Sequence, residues 1–145
     1  MKQVKRWRYY CDYCGKTGGS KYHIARHEKS CTLNPGRICN MCRYGNGDEP
    51  DLPRMIAIVS DNVRMLEDEY GGQTWSLKSG VSGAEIVSKL KEVTTCPACI
   101  LAAIRLSGVP VPFLYEFNYK KESAEFWGDY NDAKAEEEYN RNHPY

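Results

Sequence analysis

Seven cysteines and one suitably spaced histidine constrain this chain more than any other feature. Three Cys-x-x-Cys pairs are present, and a histidine and a further cysteine follow the first pair at zinc-ligand spacing. Thiolate and imidazole are the ligands that Zn²⁺ prefers, and structural zinc sites use four of them. The pattern therefore predicts two Zn²⁺ ions with no thiol left over. The expected ligand sets are Cys11, Cys14, His27 and Cys31, and Cys39, Cys42, Cys96 and Cys99.

Three alternatives bear on this assignment. His23 lies four residues before His27 on the same helix face, so either His23 or Cys31 could complete the first site. A redox role for Cys96-Pro-Ala-Cys99 would explain only two of the cysteines. A disulfide framework has no support, because no secretory signal opens the sequence. Since no apolar run is long enough to cross a bilayer, we expect a cytoplasmic protein in a reducing, intracellular environment with no membrane partner.

Charge is distributed unevenly along the chain. Residues 1–44 carry ten Lys or Arg side chains against two acidic ones, whereas acidic residues are in excess from residue 115 onward. The opening segment interleaves its cations with aromatic residues. A basic zinc module suits the phosphates of nucleic acid, because Lys and Arg displace condensed counterions. Alternatively, the two ends attract each other or a second copy of the chain, which would give a homo-oligomer.

The span from Cys11 to Cys31 resembles zinc fingers of the ββα type, in the variant with ligands Cys, Cys, His and Cys. The twelve-residue gap before His27 carries the resemblance, together with Ile24, which stands where the family packs a leucine. The sequence departs from the family at Gly18, where a core aromatic is usual, and Gly18-Gly19 predicts a loop. The resemblance implies that one face of the finger helix contacts DNA bases in the major groove. Together with the basic side chains, the expected nucleic-acid contacts are Lys5, Arg6, Arg8, Lys16, Ser20, Lys21, His23, Arg26 and Lys29.

The middle of the chain carries helical patterns. Asp51 is a candidate cap for a helix whose apolar stripe continues at spacings of three and four as far as Tyr70. Residues 73–81 are expected to be a connection between elements. Ser82 and Glu85 then form a capping-box pattern that predicts a second helix. The Cys39/Cys42 and Cys96/Cys99 knuckles are similar to those of zinc ribbons and treble clefs, and would hold the two ends of this helical insert together.

Two segments complete the predicted fold. Four aromatic residues alternate from Phe113 to Tyr119, which predicts a short strand with all four rings on one face. Residues 122–142 predict a helix rich in Ala, Glu and Lys. The expected fold is a small α+β, mainly helical, zinc-stabilised protein with a zinc-clamped helical body and one short aromatic strand. Its predicted domains are a basic finger (1–34), the body (35–119) and an acidic C-terminal helix or tail (120–145).

These features favour a binding protein over an enzyme. The sequence lacks a phosphate-binding glycine loop and a nucleophile with a partner histidine, and both predicted zinc sites use all four positions for protein ligands. His143 is the only histidine outside the finger. We therefore expect a non-enzymatic, zinc-containing regulatory or accessory protein that binds nucleic acid, with DNA favoured. The alternative is a protein-binding adaptor or inhibitor. The compact layout resembles small phage and prophage accessory proteins, which implies a host or defence protein as that partner.

Overall fold

A computed structural model of the protein describes residues 1–45 and 47–144. These residues form a small, mainly helical α+β structure with two separate antiparallel sheets of two strands each. The elements in chain order are β1 (Tyr9–Tyr10), β2 (Thr17–Gly18), α1 (Lys21–Ser30), α2 (Asn40–Gly45), α3 (Leu52–Ser60), β3 (Val63–Glu67), β4 (Gln73–Leu77), α4 (Gly83–Val93), α5 (Pro97–Leu106), a 3-10 helix (Val111–Leu114) and α6 (Tyr119–Asn142).

The finger contains β1, β2 and α1. Tyr9 pairs with Gly18 in the small sheet. Ser20 begins the helix as its cap, because its Oγ accepts a hydrogen bond from the backbone N–H of His23 at 3.4 Å. The helix predicted between Lys21 and Lys29 is therefore confirmed. The prediction of a loop at Gly18 is wrong, since this glycine lies in β2.

Gly18 also shows how the finger packs without the aromatic residue that the ββα family uses there. A Cβ atom at Gly18 would lie 3.2 Å from Cδ1 of Ile24. Ile24 is the one buried side chain of α1 and packs beside the buried ligands Cys11 and Cys31. The side chain of Ile24 therefore takes the space next to β2, and a large ring at position 18 would not fit.

The body is built around α3, which packs against both α4 and α5. The side chains at its centre are almost completely buried, and the second set of cysteines belongs to the same apolar cluster. The caps predicted at Asp51 and Ser82 are both confirmed, with hydrogen bonds from the backbone N–H groups of Arg54 and Glu85. The largest fully buried apolar side chains of the body are Met55, Val59, Ile86, Leu90, Ile100, Ile104 and Leu114.

The long helix predicted from Leu52 to Tyr70 is wrong. Helix α3 ends at Ser60, and the Asn62 side chain donates a hydrogen bond of 2.6 Å to the carbonyl of Ile58 in the last turn. The chain then forms the β3–β4 hairpin, so the connection predicted over residues 73–81 is also wrong for Gln73–Leu77. Asp68 shapes the turn by accepting hydrogen bonds from Tyr70 and Gly72. The apolar residues therefore keep spacings of three and four beyond the end of α3, and periodicity alone does not show where the helix ends.

The predicted aromatic strand is also wrong. Residues Val111–Leu114 form a 3-10 helix with a proline in its first turn, and Asn118 then caps α6 by accepting a hydrogen bond from the N–H of Lys121. The four rings do not share one face, because Phe117 is buried whereas Tyr115 is 79% exposed. Pro112 favours the first turn of the 3-10 helix, and the cap at Asn118 starts α6 at Tyr119, so few residues remain between the two helices for a strand.

Helix α6 begins three residues earlier than predicted, at Tyr119, and only its first half contacts the body. Phe126 and Trp127 are half-buried against it, and the ring of Tyr44 lies edge-on to Trp127 with centroids 5.8 Å apart. From residue 131 to residue 142 every side chain is exposed. Within the described residues, no helix combines the length and the apolar character that crossing a membrane requires.

The finger and the body are connected by hydrogen bonds as well as by the chain. The N–H of Ile38 donates to the carbonyl of Lys29 at 2.8 Å. The guanidinium group of Arg105, in α5, donates to the hydroxyl of Thr32 at 2.6 Å. These contacts tie the end of the finger to the helix that carries two ligands of the second cysteine set.

Candidate metal centres and basic surface

The first candidate metal centre joins the β1–β2 turn to the end of α1. Cys11 and Cys14 lie in the turn, His27 lies in the last turn of α1, and Cys31 caps that helix. The turn is tightened by a hydrogen bond from the N–H of Cys11 to the carbonyl of Lys16 at 2.8 Å. The four ligand atoms lie within 4.8 Å of one another. His23 is not part of this first cluster, so the structure brings Cys31, rather than His23, to the fourth position.

The second candidate metal centre joins the beginnings of two helices. Cys39 directly precedes α2 and Cys42 lies within it, whereas Cys96 caps α5 and Cys99 lies in its first turn. The Sγ atoms of Cys39 and Cys96 are 3.5 Å apart, as are those of Cys42 and Cys99. All four side chains are buried. This second cluster therefore brings together cysteines that are 57 positions apart in the sequence.

Both clusters fit Zn²⁺. A tetrahedral ion with Zn–S bonds of about 2.3 Å requires sulfur atoms roughly 3.8 Å apart, and a slightly shorter separation between sulfur and imidazole nitrogen. The sulfur pairs of the second cluster lie at 3.5 Å, and Cys14 Sγ lies 3.2 Å from His27 Nε2 in the first. Four soft donors at this spacing are the ligand chemistry of structural zinc. Each cluster could hold one zinc ion, which agrees with the prediction of two Zn²⁺.

The electrostatics of the second cluster also favour a cation. Contact with the sulfur atoms of Cys96 and Cys99 lowers the pKa of Cys39, and the same contacts raise the pKa of Cys96 and of Cys99. Burial raises the pKa of Cys42 to about 12. The four buried sulfur atoms therefore resist ionising together when no compensating charge is present. A divalent cation removes this restriction, because it stabilises thiolates that would otherwise repel one another.

The first cluster is less buried and differs in its protonation. Burial opposes ionisation of Cys14, but hydrogen bonds from the backbone at Lys16 and from His27 lower the pKa of this thiol to about 6. Burial raises the pKa of Cys31. Cys14 and His27 are both half-buried, whereas every ligand of the second cluster is buried. Solvent and competing chelators therefore have easier access to the first cluster.

Two residues outside the ligand sets contact the second cluster, and neither contact was predicted from the sequence. Arg37 donates a hydrogen bond from Nη1 to the sulfur of Cys99 at 3.8 Å and another from Nε to the carbonyl of Ser30 at 3.3 Å. Glu49 accepts a hydrogen bond from the backbone N–H of Cys39. Arg37 thus touches both the finger helix and a zinc ligand. No spacing rule points to either residue, because both lie in connecting segments.

The basic side chains of the finger form the second candidate functional feature. The cations proposed to contact phosphate are all exposed. In the part of the chain that the structure describes, the ion pairs are Lys91–Glu122 and Arg141–Glu137. The finger cations therefore take part in no ion pair there. Of the other expected contacts, His23 is exposed, whereas the Ser20 hydroxyl is engaged in capping α1. The exposed cations are Lys5, Arg6, Arg8, Lys16, Lys21, Arg26 and Lys29.

Comparisons of this chain with protein-family models, with curated proteins and with solved structures find no match.

Proposed function

We propose that this protein binds nucleic acid through the finger and serves a regulatory or accessory role without catalysing a reaction. The observation that carries the proposal is a set of seven exposed cations that form no ion pair among the described residues, on a unit small enough to be organised by one metal ion. Cations without an ion-pair partner in the protein lose little when they replace counterions on a phosphate backbone. Arg8 would give up or share one exposed hydrogen bond, which its guanidinium donates to the hydroxyl of Thr17 at 3.1 Å. Both metal clusters supply four protein ligands, which is typical of structural rather than catalytic zinc.

The test is binding of a labelled random duplex and a labelled single strand to zinc-loaded protein at two salt concentrations, with zinc content measured on the same preparation. We expect affinity to fall steeply with salt, and the logarithmic slope to fall by about 0.7 to 0.9 for each phosphate contact removed. Lys21→Ala and Lys29→Ala should each reduce the slope. Lys78→Ala and Lys89→Ala, which remove exposed cations outside the finger, should not. Fully zinc-loaded protein that binds neither probe would refute the proposal.

A protein partner is the second candidate function, and the β3–β4 hairpin favours it. Met65 and Leu66 are 40% and 44% exposed, and Tyr70 at the turn is 95% exposed. Apolar side chains on a two-stranded sheet are a common basis for protein–protein contact. An adaptor or inhibitor, including one encoded by a phage against a host or defence protein, would use this surface or the acidic outer half of α6. Its binding would depend less on salt than nucleic-acid binding does.

A further inference from the structure

Four aromatic rings of the finger are exposed to solvent. Trp7 precedes β1, Tyr10 lies in β1, Tyr13 lies between the first two ligands and Tyr22 lies in the first turn of α1. Their exposed fractions are 83%, 62%, 45% and 69%. Such rings normally contribute large buried areas to a core or an interface. The packing of the finger therefore leaves most of its aromatic surface available for a ligand.

The fold of the finger does not need these rings. Its core consists of Ile24 and the buried ligands, with Tyr9 and Leu33 packed against them. Tyr9 alternates with its neighbour Tyr10 across the strand, so one ring points inward and the other outward. The four exposed rings, which we call the aromatic set, thus have no packing role that would account for them.

The aromatic set is interleaved with the exposed cations. Arg6 and Arg8 flank Trp7, and together with Tyr9 and Gly19 they line an open cleft of about 380 Å³. Lys21 directly precedes Tyr22. A positively charged surface that carries accessible rings is the arrangement that holds single strands, because phosphates contact the cations while unpaired bases stack on the rings. Bases in a duplex are already stacked on each other and cannot use these rings.

The face of α1 that the family resemblance assigns to duplex DNA is partly occupied. The hydroxyl of Ser20 accepts the capping hydrogen bond from His23. The ring of Tyr22 lies edge-on to the imidazole of His23, with centroids 5.6 Å apart. Of the three positions expected to contact bases in the major groove, only Arg26 is exposed without such a neighbour contact.

We propose that the finger binds single-stranded nucleic acid, with unpaired bases stacked on the aromatic set and phosphates held by the neighbouring Lys and Arg side chains. This inference rests on the proposed function and specifies its ligand. RNA and single-stranded DNA share this chemistry, and Trp7 between two arginines is the principal stacking position. Duplex DNA binds only through its phosphates, and therefore more weakly.

The experiment measures fluorescence anisotropy of labelled oligothymidylate, oligouridylate and a duplex of the same length with the full zinc-loaded chain. Trp7→Ala should weaken single-strand binding about 5- to 150-fold, from the loss of one stacked base. Trp7→Phe should retain most of the affinity because it keeps a ring. Tyr70→Ala removes an exposed ring outside the finger and should have no effect. Preference between the two oligonucleotides distinguishes RNA from DNA.

The salt dependence separates stacking from charge. Trp7→Ala should leave the logarithmic salt slope unchanged, whereas Lys21→Ala should lower it by about 0.7 on single strands. Equal or tighter binding of the duplex, with Trp7→Ala indistinguishable from the wild type, would overturn this inference and leave the proposed function standing. Binding to none of the three probes by protein that contains two zinc ions would overturn both.

Discussion

Loss of zinc from the second cluster is predicted to unfold the body. The body has seven large, fully buried apolar side chains, whose burial contributes about 1.5–3 kcal/mol each, or about 10–20 kcal/mol together. Zinc binding to small folded units contributes about 10–16 kcal/mol. Since a domain of this size retains only about 5–15 kcal/mol of net stability, the metal contribution is large enough to decide whether the body folds.

Cys96→Ala tests this prediction. We expect one zinc ion per chain by elemental analysis, loss of helical circular dichroism and red-shifted fluorescence from Trp75 and Trp127, which lie in the body and in α6. Thr95→Ala changes the exposed neighbouring residue and should leave both zinc ions and the fold in place. Cys31→Ala should also cost one zinc ion, but should unfold only the finger.

A Cys96→Ala protein that contains one zinc ion yet unfolds cooperatively at the wild-type urea midpoint would contradict the prediction, because the apolar core would then be sufficient. A separate test concerns the first cluster: His23→Ala should retain two zinc ions, and its loss of one would show that His23 rather than Cys31 is the ligand.

Three further predictions concern packing and pH. Gly45→Ala should destabilise the protein by about 1–3 kcal/mol in urea denaturation, because the new Cβ would lie 2.9 Å from Cζ of Phe126. Gly83→Ala should cost less than Gly45→Ala, since its Cβ would meet only the carboxylate at the end of the flexible Glu116 side chain, and adding Glu116→Ala should restore most of the loss. On acidification, the first cluster should release zinc before the second. Its Cys14 and His27 are half-buried, so protons compete with zinc for these ligands more readily than for the four buried sulfur atoms of the second cluster; the stability that zinc provides is present at neutral pH and is lost as the pH falls, measurable with a zinc-sensitive dye.

Controls separate these effects from general sensitivity to substitution. Gly128 lies in α6, where an added Cβ would contact nothing within 4 Å. Gly128→Ala should therefore stabilise the helix by about 0.5–1 kcal/mol. An unchanged or raised unfolding midpoint for Gly45→Ala would argue against the observed docking of Phe126. Failure of the second substitution to rescue Gly83→Ala would exclude the carboxylate contact as the cause. Simultaneous release of both zinc ions during acidification would show that the difference in burial does not set the order in which the two clusters lose zinc.

The metal ligands were predictable from the sequence because their geometry is local. A Cys-x-x-Cys pair places two sulfur atoms on one knuckle whatever surrounds it, and a helix carries His27 and Cys31 to the same end. Helix caps at Asp51 and Ser82 were predictable for the same reason. In both cases a hydrogen bond between residues three apart defines the structure.

Features that depend on distant contacts were not predictable. Val63 continues the apolar stripe of α3 by spacing, yet it pairs with Leu77 in a hairpin whose partner strand carries no strong signal. Phe113 and Tyr119 alternate like strand residues, but prolines and the cap at Asn118 impose helical turns. Arg37 became recognisable as a support for the second cluster only when Cys99 was placed beside it.

The sequence separation within the second cluster has a consequence for biosynthesis. The first cluster is complete within residues 11–31, so the finger can take up zinc while later residues are still being translated. The second cluster cannot form until Cys96, which lies 57 residues after Cys39, has been translated. During that interval the apolar faces of α3 and α4 are exposed on the nascent chain, which is a state prone to aggregation. A chain whose second cluster is not filled would therefore keep an unfolded, protease-sensitive body.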